Sequence, residues 1–340
     1  MFEQENLKFF SPAVRLFKKS KKLIITSHRN PDGDAIGSCL AMYHFAKALG
    51  KQAEIILTDK IPYNYQFLSG ADQIKVYDKD RDYFSFLSAD LIVILDLNES
   101  RRLHRMEDVI VSSRAGKLIF DHHEGTHLYA NEVISMPMAC STAEIIYRFI
   151  ANFDDYTIDK PVAEALYSGI MTDTGSFRFP RTTGDVHRMI GDLIDHGADP
   201  VEIYEQTYNQ NRIGGVHILG EALKSITLHH GGKLSIMTIT AAMLDNCGVT
   251  NADIDNFAEK TLSIENTIAG VMISELESNR DEIRVSLRSK GDFSIRDVAL
   301  EMGGGGHFNA SGARIFNKSI YEAKNEIIEI IGRHLQNFKL

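Results

Sequence analysis

Short aliphatic segments, each followed by a polar turn and a helical pattern, recur along the first half of this chain and constrain its fold more than any other feature. The first such segment is Lys22–Ser27, and a helical pattern follows it from Asp34 to Leu49. Further segments of the strand type are Ala53–Leu57, Leu91–Leu95 and Lys117–Phe120. Strands that alternate with helices predict an α/β fold built on a parallel, doubly wound sheet.

The rest of the chain predicts a helical region and then a smaller α/β domain. The helical patterns Asp108–Arg114 and Ser141–Ile150 complete the alternation with the strands, and the helical region covers Pro161–Thr172, Gly184–His196, Pro200–Tyr208 and Ile213–Leu228. Strand patterns then cover Leu234–Ile239, Thr267–Leu276 and Glu282–Arg288, with helical patterns at Ile254–Thr261, Ile295–Met302 and Ser319–Leu335. Since a domain usually has about 100 to 200 residues, the 340 residues predict two domains. We place them at 1–200 and 216–340, joined by a helical linker at 201–215.

The charge balance and the cysteine content disfavour several classes of protein. The chain has 37 Lys and Arg against 46 Asp and Glu, a net charge of −9, which disfavours a broad contact with long duplex DNA. The longest aliphatic run, Leu91–Leu95, is far shorter than the roughly 20 residues of a membrane-spanning helix. The three cysteines are widely spaced, so neither a disulfide framework nor a thiolate zinc site is predicted. These features favour a cytoplasmic protein without a membrane partner.

Acidic and imidazole side chains follow three of the predicted strands at the point where each strand ends. They are His28, Asp32 and Asp34, then Asp96, and then Asp121, His122 and His123. Asp173 follows the helical pattern that ends at Thr172. Each residue alone is compatible with an ordinary turn or helix-cap role. Because the carboxyl ends of parallel strands meet at one edge of a sheet, we predict that these residues share a site.

Six of these side chains combine four carboxylates with two imidazoles: His28, Asp32, Asp34, Asp96, His122 and Asp173. Carboxylates only a few ångströms apart raise one another's pKa unless cations neutralise them. The mixture of oxygen and imidazole nitrogen donors suits Mn²⁺, Fe²⁺ or Mg²⁺. We therefore predict two divalent metal ions, an arrangement suited to the attack of water on phosphorus.

A run of four glycines marks the second domain. Gly303, Gly304, Gly305 and Gly306 directly precede His307 and follow the strand pattern that ends at Arg288. Consecutive glycine N–H groups can converge on an anion without obstruction by Cβ atoms, and the two cationic side chains can add hydrogen bonds to a phosphate. The segment matches neither the P-loop nor the dinucleotide-binding pattern. A flexible hairpin loop is the alternative to the predicted phosphate cradle.

Taken in order, these motifs resemble those of the DHH phosphoesterase superfamily. The matching features are H-x₃-D-x-D from His28 to Asp34, the strand-end Asp96, the triplet Asp121-His122-His123 and the T-D-T-G turn around Asp173. The GGGGH stretch with its trailing Ala-Ser-Gly resembles the companion DHHA1 domain. The resemblance covers essentially the whole chain. It implies a DHH domain on a parallel sheet, followed by a smaller mixed-sheet DHHA1 domain.

The resemblance also implies a role for each matching residue. His28, Asp32 and Asp96 would hold one manganese ion, and Asp34, Asp96, His122 and Asp173 would hold the other, with Asp96 as the bridge. His123 would face the substrate phosphate and assist proton transfer, while Asp121 would orient the histidines. Arg288, the four glycines and His307 would bind the nucleotide from the opposite side of a cleft.

The implied activity is that of the short DHH–DHHA1 enzymes, which hydrolyse nanoRNA and remove a phosphate from 3′-phosphoadenosine 5′-phosphate (pAp). The partners would then be short single-stranded RNA and nucleotides. The enzymatic alternative is a phosphodiesterase of linear or cyclic dinucleotides, such as pApA or cyclic di-AMP. A non-catalytic nucleotide or RNA sensor is the alternative from another class. The oligomeric state stays open, and a homodimer is compatible with the sequence.

Overall fold

The computed structural model describes residues 2–125, 130–254, 257–276 and 281–338. The chain divides into two compact units, Met1–Gln210 and Asn211–Leu340. Across the described residues, no helix has both the length and the apolar character needed to cross a bilayer.

The first unit is built on a six-stranded parallel sheet. Its strands are β1 (Lys22–Thr26), β2 (Gln52–Leu57), β3 (Ile74–Val76), β4 (Leu91–Leu95), β5 (Gly116–Asp121) and β6 (Glu132–Ser135). Its helices are α1 (Phe2–Lys19), α2 (Gly33–Ala48), α3 (Lys79–Ser88), α4 (Glu107–Ser112), α5 (Thr142–Ile150), α6 (Lys160–Asp173), α7 (Gly184–Asp195) and α8 (Pro200–Tyr208). The strand order is β3-β2-β1-β4-β5-β6, and every pairing is parallel. The chain therefore winds outward in both directions from the β1–β4 pair, where such sheets bind ligands.

Both faces of this sheet are covered by helices, as the doubly wound prediction requires. Successive residues of β1 point to opposite faces. Ile25 belongs to a core that includes Phe45 of α2, whereas Ile24 belongs to a second core with Phe86 of α3 and Ile110 of α4. The predicted α/β class with a doubly wound parallel sheet is confirmed.

The second unit contains a mixed sheet, which confirms the predicted smaller α/β domain. Its strands are β7 (Thr227–His229), β8 (Leu234–Ile239), β9 (Ala269–Glu275), β10 (Glu282–Ser289), β11 (Gly305–Gly306) and β12 (Ala310–Phe316). Its helices are α9 (Ile213–Lys224), α10 (Ala241–Cys247), α11 (Ile295–Glu301) and α12 (Ile320–Asn337). The order is β11-β12-β10-β9-β8-β7. Strands β8 and β9 are parallel, and the other pairs are antiparallel.

Two helices predicted in the second half differ in the structure: one is shorter, and the other is not an α-helix. The helix expected over Ile213–Leu228 stops at Lys224, and Thr227–His229 forms β7 because these residues pair with β8. The helix expected over Ile254–Thr261 is instead represented by two short 3₁₀ segments, Asn251–Ile254 and Phe257–Ser263. Residues 255 and 256 of that pattern lie outside the described residues.

Candidate metal centre

The carboxyl edge of the parallel sheet gathers the predicted metal ligands of the first unit. His28 follows β1, Asp96 follows β4, and Asp121 is the last residue of β5. Asp32 caps the amino end of α2, and Asp173 is the last residue of α6. Five elements thus deliver acidic or imidazole groups to one edge of the sheet.

Ligand atoms of these residues form three overlapping groups, within each of which the atoms lie within 4.8 Å of one another. The groups are His28–Asp32–Asp96, Asp34–His122–Asp173 and Asp96–His122–His123. Asp96 and His122 each belong to two groups, so the three are continuous. Imidazole nitrogen and carboxylate oxygen at these separations can hold a divalent metal ion. The assignment of individual residues to individual ions stays a prediction.

Two histidines present the same ring nitrogen to the cluster. Nδ1 of His28 lies 2.7 Å from the carbonyl oxygen of the next residue, and its Nε2 lies 3.1 Å from Oδ2 of Asp96. Nδ1 of His122 lies 3.4 Å from the carbonyl oxygen of Ala139, and its Nε2 lies 3.5 Å from Oδ1 of Asp96. A proton held on Nδ1 by a backbone carbonyl puts the lone pair on Nε2, the ring nitrogen that faces the cluster.

His123 is oriented differently, by a buried carboxylate. Its Nδ1 lies 2.7 Å from Oδ1 of Asp121 and 3.6 Å from Oδ1 of Asp96. Asp121 is fully buried, and its Oδ2 has no hydrogen-bond partner within the described part of the chain. The Asp121–His123 pair is therefore a fixed unit at the edge of the cluster.

The amino end of α5 contacts the cluster through groups that the sequence did not single out. Oδ2 of Asp34 accepts the N–H of Thr142 at 2.7 Å, and Oδ1 accepts the N–H of Ala143 at 2.9 Å. The hydroxyl of Thr142 donates to Oδ1 of Asp96 at 3.1 Å. The sequence showed only that a helix begins near Ser141, and no pattern indicates what its first amides bind.

Close packing of α2 against α6 brings Asp34 towards Asp173. A Cβ atom on Gly37 would lie 2.4 Å from the carbonyl oxygen of Ala165, and one on Gly169 would lie 3.1 Å from Oδ1 of Asp34. Only glycine allows these backbones to approach so closely. The separation of α2 and α6, and hence of the two carboxylates, depends on the absence of a Cβ atom at Gly37 and Gly169.

The backbone of Asp96 adopts a left-handed conformation with φ of 57°. Its N–H donates to the carbonyl oxygen of Phe120 at 2.9 Å, which ties the end of β4 to β5. Asp and Asn tolerate this region better than other residues that carry a Cβ atom. The turn therefore favours a short polar side chain at the position that faces the cluster.

The cluster concentrates negative charge that the protein alone does not neutralise. Burial and then the charge of Asp96 raise the pKa of Asp34 and of Asp173 well above the usual range. Burial by itself would raise the pKa of Asp96 as well. The hydrogen bond from His28 and the charges of the histidines outweigh this effect and hold the pKa of Asp96 well below its usual range. A bound cation removes this conflict, because it favours the ionised form of every carboxylate.

Replacing Asp173 by asparagine is expected to stabilise the metal-free protein at pH 7. A carboxyl whose pKa is raised by folding destabilises the fold once the pH exceeds its ordinary value, and the neutral amide removes this effect. Because the side chain is 32% exposed, solvent screens the repulsion, and we expect Tm to rise by only about 2 °C. Thermal unfolding in EDTA measures the change.

The pH and the metal ion provide controls for the comparison of the wild type with Asp173→Asn. In EDTA, the wild type should gain stability as the pH falls through the raised pKa towards the ordinary carboxylate range, and the Asp173→Asn variant should gain less. Excess Mn²⁺ should stabilise the wild type more than the variant. A lower Tm of the variant in EDTA at pH 7, or equal stabilisation of both proteins by Mn²⁺, would contradict the electrostatic account.

Arg181 is a second residue that the sequence left without a role. Its positive charge opposes the rise in the pKa of Asp173 and contributes to the lowered pKa of His122, whose main cause is burial. Its charge therefore acts on the metal cluster, from the turn that follows α6. A lone arginine in a loop carries no sequence signal that distinguishes it from a surface residue.

In the second unit, Gly305 and Gly306 form the edge strand β11, and Gly303 and Gly304 lie in the segment that follows α11. The N–H groups of Gly303, Gly304 and His307 already donate to carbonyl oxygens of Leu300, Ala299 and Ala310. A Cβ atom on Gly304 would lie 2.1 Å from the carbonyl oxygen of Gly312. These glycines permit close pairing with β12, so the idea of N–H groups converging on an anion requires correction for three of the five amides.

Arg288 and His307 nevertheless occupy one row of this sheet. Arg288 pairs with Ala310 in the β10–β12 ladder, and Ala310 exchanges both backbone hydrogen bonds with His307, at 2.8 and 3.3 Å. Residues directly opposite one another in antiparallel strands project to the same face. In the adjacent row of that face, Gly305 pairs with Gly312, and Gly312 pairs with Ser286 of β10. The surface beside His307 therefore lacks side chains, whereas Ser286 lies beside Arg288.

Comparison with known proteins identifies both units. Residues 22–170 match the DHH family, N-terminal domain, and residues 236–337 match the DHHA1 domain. The chain is 27% identical over 318 residues to the bifunctional oligoribonuclease and PAP phosphatase NrnA of Thermus thermophilus, covering 92% of this chain and 90% of that protein. It is 26% identical to the NrnA of Bacillus subtilis, with 89% and 92% covered.

Two further matches extend the comparison. The cyclic-di-AMP phosphodiesterase PdeA of Listeria monocytogenes is 24% identical over 93% of this chain but only 48% of its own length. The crystal structure of an exopolyphosphatase-related protein from Bacteroides fragilis has a TM-score of 0.89 at 29% identity, covering 98% of this chain and 96% of that one. The fold of the whole chain therefore has a close counterpart among solved structures.

Proposed function

Because the chain belongs to the DHH phosphoesterases and carries a DHHA1 domain, we propose that it hydrolyses short RNA oligonucleotides to mononucleotides and removes a phosphate from pAp. The observation that carries this proposal is the continuous cluster centred on Asp96, in which the ligand groups of the first unit overlap. The similarity to proteins named oligoribonuclease and PAP phosphatase, over about nine-tenths of both chains, supports this choice of substrate.

The proposed cofactor is a pair of divalent metal ions, with Mn²⁺ favoured over Mg²⁺ or Fe²⁺. His28, Asp32 and Asp96 would hold one ion, and Asp34, Asp96, His122 and Asp173 would hold the other. Such ions lower the pKa of bound water and neutralise phosphoryl oxygens. The raised pKa values of Asp34 and Asp173 support this loading, because carboxylates in that environment are stabilised by a cation.

His123 is the proposed proton-transfer group. The 2.7 Å contact between its Nδ1 and Oδ1 of Asp121 supports a proton on Nδ1, and Nε2 would then face the substrate phosphate or its leaving oxygen. Asp121 would position the ring, since its carboxylate is buried and its Oδ1 contacts Nδ1 of the imidazole. The histidine thus has both a fixed orientation and a reactive nitrogen.

The second unit is the proposed substrate-binding domain, and residues 1–200 are the proposed catalytic domain, with a linker at 201–215. Arg288 and His307 share a sheet row that Gly305 and Gly312 leave flat on one side. A flat surface beside these two hydrogen-bond donors suits a nucleotide, whose base or sugar would lie on the backbone while the phosphate meets the guanidinium and the imidazole. The glycines would therefore act by removing bulk, more than by donating N–H groups.

The decisive experiment follows product release with and without metal. The protein is treated with EDTA, freed of chelator and then supplied with Mn²⁺, and its turnover of pAp and of RNA 2-mers to 5-mers is measured. We expect no AMP or mononucleotide from the metal-free protein and full activity once Mn²⁺ is restored. Hydrolysis that survives complete removal of metal would end the proposal.

A second candidate is phosphodiester hydrolysis of dinucleotides, because PdeA and a second cyclic-di-AMP phosphodiesterase, GdpP of Geobacillus thermodenitrificans, align with most of this chain. The same metals would serve both reactions. Values of kcat/KM for pAp, pApA, cyclic di-AMP and an RNA 5-mer, measured side by side, separate the two. A preference for cyclic di-AMP of more than about tenfold would favour the second candidate.

The proposed partners are short single strands and nucleotides, with no long duplex DNA and with homodimerisation as a further proposal. The three cysteines are free thiols, which supports the reducing cytoplasm as the proposed location. Binding of nucleotide in Mn²⁺ without any turnover would instead indicate a non-catalytic sensor.

A further inference from the structure

The amino end of α5 touches two of the proposed metal ligands at once. The N–H of Thr142 donates a hydrogen bond to Asp34 at 2.7 Å, and its hydroxyl donates one to Asp96 at 3.1 Å. Ala143 gives its N–H to the other oxygen of Asp34 at 2.9 Å. Thr142 therefore carries both the N–H that binds Asp34 and the hydroxyl that binds Asp96.

The hydroxyl bond falls on the oxygen of Asp96 that faces the second group of ligands. Oδ1 lies 3.5 Å from Nε2 of His122 and 3.6 Å from Nδ1 of His123, whereas Oδ2 lies 3.1 Å from Nε2 of His28. The terminal torsion of an aspartate side chain has a broad energy minimum. A donor on one oxygen therefore restricts rotation of the carboxylate plane, so that each oxygen stays directed at its own group of ligands.

The hydroxyl of Thr142 has no evident role in starting the helix. Ser141 is the capping residue, because its Oγ accepts the N–H of Glu144 at 3.1 Å. Thr142 is the first residue inside α5 and is completely buried. A buried hydroxyl requires a hydrogen-bond partner, and here that partner is the carboxylate of Asp96 rather than a backbone carbonyl.

We propose that Thr142 is a positioning residue for the metal centre. Its hydroxyl fixes the plane of the Asp96 carboxylate while its backbone N–H holds Asp34, so that the two sets of ligands keep one spacing. This inference rests on the proposed function, since it concerns the same site. Loss of the hydroxyl should weaken metal binding and slow turnover while leaving the binding of substrate nearly unchanged.

The test compares three variants of the full chain. Thr142→Val keeps the shape and the backbone N–H but removes the hydroxyl, and Thr142→Ser keeps the hydroxyl. Thr261→Val is the matched control, because Thr261 is also fully buried but donates its hydroxyl to the carbonyl of Ala258 in the second unit. Isothermal titration with Mn²⁺ measures affinity and stoichiometry without any reaction, and pAp kinetics separate kcat from KM.

We expect Thr142→Val to bind Mn²⁺ about 10-fold to 100-fold more weakly, as is usual when the partner of a metal ligand is removed. Its kcat should fall with KM within about twofold, whereas Thr142→Ser and Thr261→Val should bind Mn²⁺ like the wild type. If Thr142→Val fails to fold, judged by circular dichroism, Thr142→Ala replaces it under the same expectations.

Three results would overturn the inference, and they differ in meaning. Wild-type affinity for Mn²⁺ and normal kcat in Thr142→Val, or in Thr142→Ala where it replaces that variant, would remove the positioning role while leaving the proposed function intact. A wild-type protein that neither binds Mn²⁺ nor hydrolyses pAp would remove the proposed function and this inference with it. Equal weakening in Thr142→Ser and Thr142→Val would also contradict the role of the hydroxyl.

Discussion

Replacing Asp96 by asparagine is expected to lower kcat for pAp and for short RNA by at least about 1,000-fold. One oxygen of Asp96 faces His28 and the other faces His122 and His123. An amide offers an acceptor on one side only and carries no charge, so it cannot serve both groups of ligands. Single-turnover assays at saturating Mn²⁺ and a metal-content analysis of the purified variant measure the effect.

Asparagine changes the side-chain chemistry at this position without adding backbone strain. It tolerates the left-handed conformation of Asp96, with φ of 57°, whereas alanine would add strain of about 1 kcal/mol or more. The matched control is Asp90→Asn, at the other end of the same strand. The carboxylate of Asp90 accepts two backbone N–H groups at 2.9 Å, from Lys21 and Lys22, and lies outside the cluster. If Asp96→Asn retained more than a tenth of wild-type kcat, Asp96 would not be the shared ligand.

Replacing Gly37 by alanine is expected to cost about 3 kcal/mol of folding stability, near the upper end for an overpacked core. The added Cβ atom would lie 2.4 Å from the carbonyl oxygen of Ala165 and 2.9 Å from the backbone nitrogen of Gly169. Backbone atoms cannot move aside as a flexible side chain can, so α2 and α6 must separate. Because these helices carry Asp34 and Asp173, the affinity for Mn²⁺ should fall as well.

Gly191→Ala provides the matched control for this prediction. Gly191 lies in α7, and a Cβ atom there would have no heavy atom within 4 Å. Alanine at an open helical position should stabilise the protein by about 0.5 to 1 kcal/mol. Urea unfolding of the two variants and the wild type gives both free energies. Equal stability of Gly37→Ala and Gly191→Ala would show that the α2–α6 spacing does not depend on the absence of a Cβ atom at Gly37.

The clustering of the proposed metal ligands was predictable from the sequence because parallel strands share a direction. Once Lys22–Ser27, Leu91–Leu95 and Lys117–Phe120 are assigned as parallel strands, the polar residues that follow them must lie at one edge. His28, Asp96 and His122 come together for this reason. The family resemblance added the pairing of residues with ions, which the geometry of the sheet alone does not specify.

Contacts between helices were not predictable in the same way. The sequence does not indicate that Gly37 meets Ala165, or that the first amides of α5 bind Asp34, because these contacts depend on how helices pack above the sheet. The glycine run of the second unit illustrates the same limit. Its composition suggested an anion cradle, whereas the pairing of Gly305 with Gly312 makes the second half of the run an edge strand.

Some elements gave too weak a pattern to be assigned. Helix α3 begins with four charged residues, and its buried side chains are Asp82 and Phe86; the apolar periodicity is therefore nearly absent. Strand β6 has only four residues at the edge of the sheet, and one of them is buried. Such elements are fixed by pairing and capping with the rest of the unit rather than by their own sequence.

The proposed metal ligands are spread along the sequence from His28 to Asp173, and this spread determines when the complete set becomes available during synthesis of the protein. A nascent chain lacks the last carboxylate until α6 has left the ribosome, because Asp173 is the final residue of that helix. Under the proposed function, metal would occupy the whole set only after most of the first unit has been synthesised and folded. We therefore expect loading with metal to be a late event in the maturation of the protein, and a truncated chain that ends before α6 to bind Mn²⁺ more weakly than the full chain.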